Sequence, residues 1–173
     1  IEGPGEDPFL ARRFAAATVR GLTAGGMAAT LKHFVGYGAA ESGRDYNAVD
    51  LSESRLRDLY LPPFRAGIEA GAQVVMASFN TLNGVPGTAN PHTLIDILRK
   101  DWGFDGIVMS DWDAVRELVK HGVAADEREA VAKAVNAGVD MDMASGLYRE
   151  HLVSLVREGR VPEARSDAAA GRV

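Results

Sequence analysis

Three short runs of polar and aromatic residues follow apolar segments, and they are the places where this sequence could carry out chemistry. The runs are Lys32-His33, Ser78-Phe79-Asn80 and Ser110-Asp111-Trp112. A carboxylate or a lysine held at the end of a buried strand can act as a nucleophile or as a general base. Because the three runs differ in residue type, they indicate a pocket rather than a repeated structural device.

Asp111 is the strongest candidate for a reacting group. It lies two residues after the apolar pair Val108-Met109, at the edge of a predicted core. Its structural alternative is an N-cap for the helix predicted to begin near Asp113. Trp112 favours the functional interpretation, because a flat apolar face beside a carboxylate suits stacking on a sugar ring. On these residues alone both interpretations stay open.

The other candidates each have a plain structural alternative. Lys32 could be a Schiff-base amine, as in barrel aldolases, or a lysine that extends to solvent. His33 could be a hydrogen-bonded core histidine. Arg44 is either a solvated loop charge or a fixed donor to ligand hydroxyls, and Phe79 taken alone is typical of a core residue.

The sequence carries no cofactor or metal motif. It has no cysteine, its four histidines lack metal-ligand spacing, and it contains no Gly-x-Ser-x-Gly elbow or phosphate loop. We therefore expect no cofactor and no metal. Asp140 and Asp142 alternate with apolar residues near the end of the chain, and either a structural ion pair or a role behind the site would account for them.

Apolar periodicity places these residues on alternating helices and strands. Asp7 and Pro8 predict the start of the first helix, and Asp50 with Glu53 has the spacing of a capping box. A break or kink is expected at Pro62-Pro63. The predicted helices cover residues 8–23, 50–71, 90–102, 113–120, 126–137 and 147–158, with another opening at 162–163, and the predicted strands cover 28–34, 73–79, 106–110 and 139–143.

This order predicts an α/β fold with parallel strands alternating with helices. No Gly-x-Gly-x-x-Gly follows any strand, which disfavours a dinucleotide-binding sheet. Either another doubly wound sheet or a (β/α)8 TIM barrel would produce this order. Four strands cannot close a barrel, so a barrel here would be a partial one. Polar side chains at strand ends would then share the carboxyl-terminal face, where barrel active sites lie.

Composition excludes several classes of partner. The net charge of −5 provides no basic face for nucleic acid or for an anionic membrane surface. No segment approaches the roughly 20 apolar residues of a membrane span. The compartment is not indicated, and cytoplasmic, secreted and periplasmic locations all stay open.

A larger set of motifs closely resembles glycoside hydrolase family 3, specifically its β-glucosidase and β-xylosidase branch. The resemblance covers essentially the whole chain in the right order. The motifs that carry it are Gly5-Glu6-Asp7-Pro8, Lys32-His33-Phe34, Gly43-Arg44-Asp45-Tyr46-Asn47, Tyr60-Leu61-Pro62-Pro63-Phe64, Met76-Ala77-Ser78-Phe79-Asn80, Leu82-Asn83-Gly84, Trp102-Gly103-Phe104, Ser110-Asp111-Trp112 and Ala137-Gly138-Val139-Asp140-Met141.

The resemblance implies a retaining glycosidase that acts on a β-linked oligosaccharide or glycoside. Asp111 takes the role of the nucleophile, and Lys32 and His33 match a pair that binds sugar hydroxyls. Arg44 matches a loop arginine with the same task. Phe79 stands where a tyrosine is common, and Trp112 would wall the subsite.

The resemblance also implies that residues 1–173 are an incomplete N-terminal catalytic barrel domain. The first strands and a following C-terminal α/β domain, which supplies the acid/base in this branch, would then lie outside the chain. A homodimer of the full-length protein is left open. A related N-acetylglucosaminidase branch uses a second histidine where this chain has Tyr37. The rival functions are a non-catalytic carbohydrate-binding remnant and a Schiff-base lyase that uses Lys32.

Overall fold

The computed structural model describes residues 3–173 and contains a parallel sheet covered by helices. Three parallel strands, β1 (Thr30–Phe34), β2 (Val74–Ala77) and β5 (Ile107–Met109), pair in the order β1-β2-β5. The register pairs Val75 with Leu31 on one side and with Val108 on the other. Each parallel connection contains helix, so the predicted α/β fold built from βα units, as in part of a barrel, is confirmed.

The helices agree with the predicted positions to within a few residues. Asp7 caps the first helix as predicted, since its carboxylate accepts from the backbone N–H groups of Phe9 and Leu10. In chain order the helical elements are α1 (Pro8–Ala24), α2 (Glu53–Arg55), the π-helical turn Leu56–Tyr60, α3 (Leu61–Glu69), the π-helical segment His92–Asp101, α4 (Ala114–Lys120), α5 (Glu127–Ala137), α6 (Leu147–Arg157) and α7 (Glu163–Arg172). None of the helices within residues 3–173 has the length and apolarity to cross a membrane.

The start of the second predicted helix differs from expectation. Ser52, not Asp50, is the N-cap, because the Ser52 hydroxyl accepts from the backbone N–H of Arg55. The expected break at Pro62-Pro63 is instead a change of hydrogen-bond pattern. The chain stays helical through the π-helical turn and into α3, whose second and third residues are the two prolines.

The predicted fourth strand at 139–143 is wrong as a strand and is reduced to one bridge, between Met109 and Met141. The Asp140 carboxylate accepts the backbone N–H of Val108 at 2.8 Å, a donor that a regular ladder would pair with a carbonyl. The backbone N–H groups of Asp140 and Met141 both point at the Val108 carbonyl. A side chain thus ends the ladder after a single pair.

A small hairpin that the strand predictions did not include follows β2. Its strands, β3 (Thr81–Leu82) and β4 (Val85–Pro86), are antiparallel and joined by Asn83-Gly84 with both residues at positive φ. That dipeptide is the usual sequence of a two-residue hairpin turn. The Asn83 amide also exchanges two 2.9 Å hydrogen bonds with the backbone of Leu51, and thereby ties the hairpin to the end of the long loop after β1.

Gly106 lets the chain enter β5 in close contact with β2. A Cβ at this position would overlap the Gln73 carbonyl oxygen and lie 2.6 Å from Phe104 Cζ. That carbonyl cannot move away easily, because it accepts the Ile107 N–H at 2.9 Å.

We expect Gly106→Ala to lower the free energy of unfolding by at least about 1–3 kcal/mol through overpacking. Urea unfolding would measure it. Gly21→Ala is the matched control, because its added methyl meets nothing within 4 Å and lies in α1, where alanine is favoured by roughly 0.5–1 kcal/mol. Equal stability of the two variants would contradict this account.

Candidate active site

Asp111 lies two residues beyond β5, at the carboxyl-terminal edge of the parallel sheet. The buried Ser110 hydroxyl donates to the Asp111 carbonyl at 2.9 Å and accepts the Met143 N–H at 2.9 Å. On either side, Ser110 N–H donates to the Met141 carbonyl and Asp113 N–H donates to the Met143 carbonyl. The segment after α5 therefore fixes the backbone on both sides of Asp111.

The Asp111 carboxylate meets His33 across the edge of the sheet. Asp111 Oδ2 lies 3.4 Å from His33 Nε2, and both side chains are 12% exposed. Asp111 Oδ1 accepts the Trp112 N–H at 2.6 Å, whereas the buried Oδ2 accepts no hydrogen bond from the part of the chain that the structure describes. A buried carboxylate with an oxygen that accepts no hydrogen bond is costly for stability alone, which favours a functional role. Two residues that the sequence analysis singled out separately, Asp111 and His33, thus lie together.

Aromatic rings form one wall of the site. His33 lies 4.7 Å from the Tyr37 ring and 6.4 Å from the Phe79 ring, measured between centroids. Phe79 in turn meets Tyr37 edge-on at 5.6 Å and stacks on Tyr46 at 4.2 Å with an interplanar angle of 19°. We call His33, Tyr37, Phe79 and Tyr46 the aromatic wall.

Two members of the aromatic wall, Tyr37 and Tyr46, were not among the predicted site residues. Tyr37 donates from its hydroxyl to Asp45 Oδ1 at 2.5 Å, and Tyr46 N–H donates to the same oxygen at 3.2 Å. Their position in the sequence could have indicated them. Both tyrosines lie in a glycine-rich loop, where a large aromatic side chain is not needed for core packing. Their separation in the sequence does not show that both tyrosines contact Phe79 in the folded structure.

The loop that carries Asp45 and Tyr46 is held at its far end by the β3–β4 hairpin and by β2. Val49 N–H donates to the Thr81 carbonyl at 2.8 Å, and the buried Asn80 amide donates to the Asn47 carbonyl at 2.7 Å. These bonds join a surface loop to the strand end from which Phe79 projects. The loop is therefore positioned by the same framework that positions the aromatic wall.

Two groups near Asp111, namely Glu117 and Tyr46, have raised pKa values. Burial raises the pKa of Glu117 on α4, outweighing nearby cations such as Lys120, and the charge of Asp111 adds to the rise. Burial is also the main cause that raises the pKa of Tyr46, followed by the charges of Glu117, Asp45 and Asp111.

The remaining predicted residues are at the surface. Lys32 lies on β1 next to His33 and is exposed, Arg44 is exposed in the loop that carries Tyr46, and Trp112 is 70% exposed directly after Asp111. Phe79, by contrast, is buried and belongs to the aromatic wall.

Asp140 and Asp142 play different parts behind the site. Asp140 is 3% exposed and binds Arg99 at 2.6 Å and Arg172 at 3.0 Å, so the structural ion pair is the correct one of its two alternatives. Asp142 accepts from the Ser145 hydroxyl at 2.6 Å within the turn that follows Met141. Within residues 3–173 no group of three or more histidine, aspartate or glutamate side chains is arranged to hold a metal ion.

The domain is of the parallel βα class, in which active sites lie at the carboxyl edge of the sheet, the edge where Asp111 is fixed. Comparison with known proteins then identifies the family: residues 2–173 match the model of the glycosyl hydrolase family 3 N terminal domain. The chain belongs to this family, as the resemblance of its motifs predicts.

Individual relatives agree with this assignment. The chain is 43% identical to a periplasmic beta-glucosidase of Salmonella typhimurium over 99% of its own length and 23% of the relative's. It is also 43% identical to a beta-xylosidase of Formosa agariphila, over 84% of the chain and 21% of that protein. The crystal structure of a beta-glucosidase from Listeria innocua in complex with glucose superposes with a TM-score of 0.96 and 41% identity, over 99% of this chain and 25% of that one. The chain thus spans about a quarter of the length of the relatives it matches.

Proposed function

We propose that this chain is the incomplete catalytic barrel of an enzyme that hydrolyses terminal, non-reducing β-D-glucosyl or β-xylosyl residues with retention of configuration. Asp111 is the nucleophile. The observation that carries the proposal is the Asp111 carboxylate at the carboxyl edge of the sheet, which accepts the Trp112 N–H and lies 3.4 Å from His33. The Ser110 hydroxyl holds the backbone carbonyl of the same residue. The family assignment and the names of the relatives supply the substrate class.

The chemistry proceeds by two displacements. A carboxylate oxygen of Asp111 attacks the anomeric carbon while the bond to the leaving-group oxygen breaks, and a glycosyl ester of Asp111 forms. Water then attacks the same carbon and releases the Asp111 carboxylate. Both steps pass through an oxocarbenium-like transition state, whose positive charge is stabilised by the carboxylates around the site.

The other predicted residues bind the sugar. His33 lies beside Asp111 and donates or accepts through Nε2 toward a hydroxyl, while Lys32 and Arg44 supply cationic donors from the adjoining strand and loop. Phe79 and Trp112 present apolar surfaces. Phe79 has no hydroxyl, so its contribution is contact alone.

A general acid/base completes the proposed mechanism. Retaining hydrolysis needs a second carboxyl group about 5–5.5 Å from the nucleophile. We place this group outside residues 1–173, in the C-terminal domain of a longer parent enzyme. This chain alone is then expected to turn over ordinary glycosides little or not at all.

The test is covalent labelling with a 2,4-dinitrophenyl 2-deoxy-2-fluoro-β-D-glucoside. Its leaving group departs without protonation, so a missing acid/base does not prevent the first displacement. We expect the intact mass of the chain to rise by one fluoroglucosyl group and peptide mapping to place the group on Asp111.

Two negative outcomes have different meanings. Labelling of the parent enzyme at Asp111 but not of this chain would show that the site needs the rest of the protein. Failure to label either, with the corresponding xylose reagent tried as well, would contradict the assignment of Asp111. Sugar binding by the parent without a covalent adduct would favour the rival carbohydrate-binding function.

A further inference from the structure

Tyr46 has three features that the proposed mechanism leaves unused. Its side chain is 56% exposed although one face of the ring stacks on Phe79. Its backbone lies at φ 66°, in the left-handed region, where a bulky residue is an outlier. Such conformations persist only where the surroundings impose them, and they cluster at ligand-binding sites.

The surroundings do impose the conformation of Tyr46. Asp45 accepts the Tyr46 N–H, and Tyr37 donates to the same Asp45 oxygen, so the carboxylate is fixed in turn. On the other side of Tyr46, the Asn47 amide donates to the Glu41 carbonyl at 3.1 Å. The ring is therefore presented by a preorganised loop.

The position of the Tyr46 ring relative to Asp111 follows from the aromatic wall. Asp111 lies beside His33, His33 lies beside Phe79, and Tyr46 stacks on one face of Phe79. A sugar whose anomeric carbon faces Asp111 lies against His33, and its leaving group extends outward. The Tyr46 ring, like that of Trp112, is exposed and offers a leaving group a flat apolar surface.

We propose that Tyr46 is a specificity-determining residue that stacks on the ring of the leaving group, either a second sugar or an aryl aglycone. This inference rests on the proposed function and deepens it by naming the part of the substrate that this loop recognises. Stacking of an aromatic ring on an apolar ring face requires no hydroxyl, so the phenol oxygen of Tyr46 is not needed.

The test compares two trapping reagents on the full-length parent enzyme. Both transfer a 2-deoxy-2-fluoroglucosyl group to Asp111, but the leaving group of one is 2,4-dinitrophenolate and that of the other is fluoride, which has no ring. Tyr46→Ala is expected to lower the second-order inactivation rate between about 2- and 12-fold more with the dinitrophenyl reagent than with the fluoride reagent. Tyr46→Phe, the matched control, is expected to keep the wild-type ratio of the two rates.

The remaining outcomes overturn the inference. If Tyr46→Ala slows both reagents equally, the ring supports the site or packs against another part of the protein. If it slows neither, the ring does not contact the leaving group. Failure of the wild type to be labelled by either reagent contradicts the proposed function as well, so the two failures are distinguishable.

Discussion

Asp111→Ala in the parent enzyme is expected to lower kcat for a dinitrophenyl β-glucoside by roughly 10⁴- to 10⁶-fold, the range seen when a covalent nucleophile is removed. The fold should survive, because the buried Oδ2 accepts no hydrogen bond within residues 3–173 and the backbone at this position is held by Ser110 and Met143. Steady-state kinetics would measure the loss, and circular dichroism would show an unchanged melting temperature.

Sodium azide provides a sharper readout of the same variant. The space left by the carboxylate admits a small anion, which can attack the anomeric carbon in place of Asp111 while dinitrophenolate departs. The expected product is α-glucosyl azide, formed with a single inversion. Asp105→Asn is the matched control, because Asp105 is 95% exposed before β5, at the opposite end of the strand from Asp111. A residual kcat within tenfold of wild type would contradict the role of Asp111.

Asp140→Ala is expected to destabilise the chain by about 3–5 kcal/mol, the range for breaking a buried ion pair from one side. Asp140 is 3% exposed and Arg99 is 13% exposed, so the arginine would keep its charge without the carboxylate that binds it at 2.6 Å. The Val108 N–H would also lose its acceptor. Chemical denaturation in urea, compared with wild type, would measure the change.

Two further variants separate this effect from a general loss of charge. Asp96→Ala also removes a carboxylate paired with a cation, Lys100, but this pair is exposed on the helical surface, and the urea midpoint should hardly move. A double variant with Arg99→Met and Asp140→Leu should recover much of the lost stability, since no unpaired charge remains buried. A loss for Asp140→Ala no larger than for Asp96→Ala would contradict the account.

The sequence was sufficient for the helices, for the three strands of the parallel sheet and for placing Asp111 at the end of one of them. Apolar periodicity located β1, β2 and β5 because these strands are buried and continuous, and Asp111 stood out because a carboxylate follows the last of them. The hairpin at Asn83-Gly84 was also within reach, since this dipeptide is a strong turn signal. Because β3 and β4 have only two residues each, they show no periodic pattern, and the Asn83-Gly84 turn is the only sequence signal that predicts them.

Two differences between the predicted and the observed elements arise because a side chain accepts a backbone N–H hydrogen bond. Asp140 takes a hydrogen bond that the ladder would have given to a carbonyl, so the predicted strand at 139–143 does not form. Ser52 competes successfully with Asp50 for the helix start. The aromatic wall depends on contacts between residues that are far apart in sequence, such as Tyr46 and Phe79, and these follow only once the sheet is assembled.

The two hydrogen bonds between the Asn83 side chain and the Leu51 backbone fix the end of the loop after β1 independently of the residues within that loop. The loop after β1 leaves the sheet at Phe34 and is fastened again at Val49 and Leu51, so both of its ends are set by the framework. The stretch between them can therefore be lengthened or exchanged as a cassette while Asp111 keeps its own anchors. Because Arg44 and Tyr46 lie in this stretch, swapping it between relatives would exchange the proposed contacts of the loop without touching the anchors of Asp111.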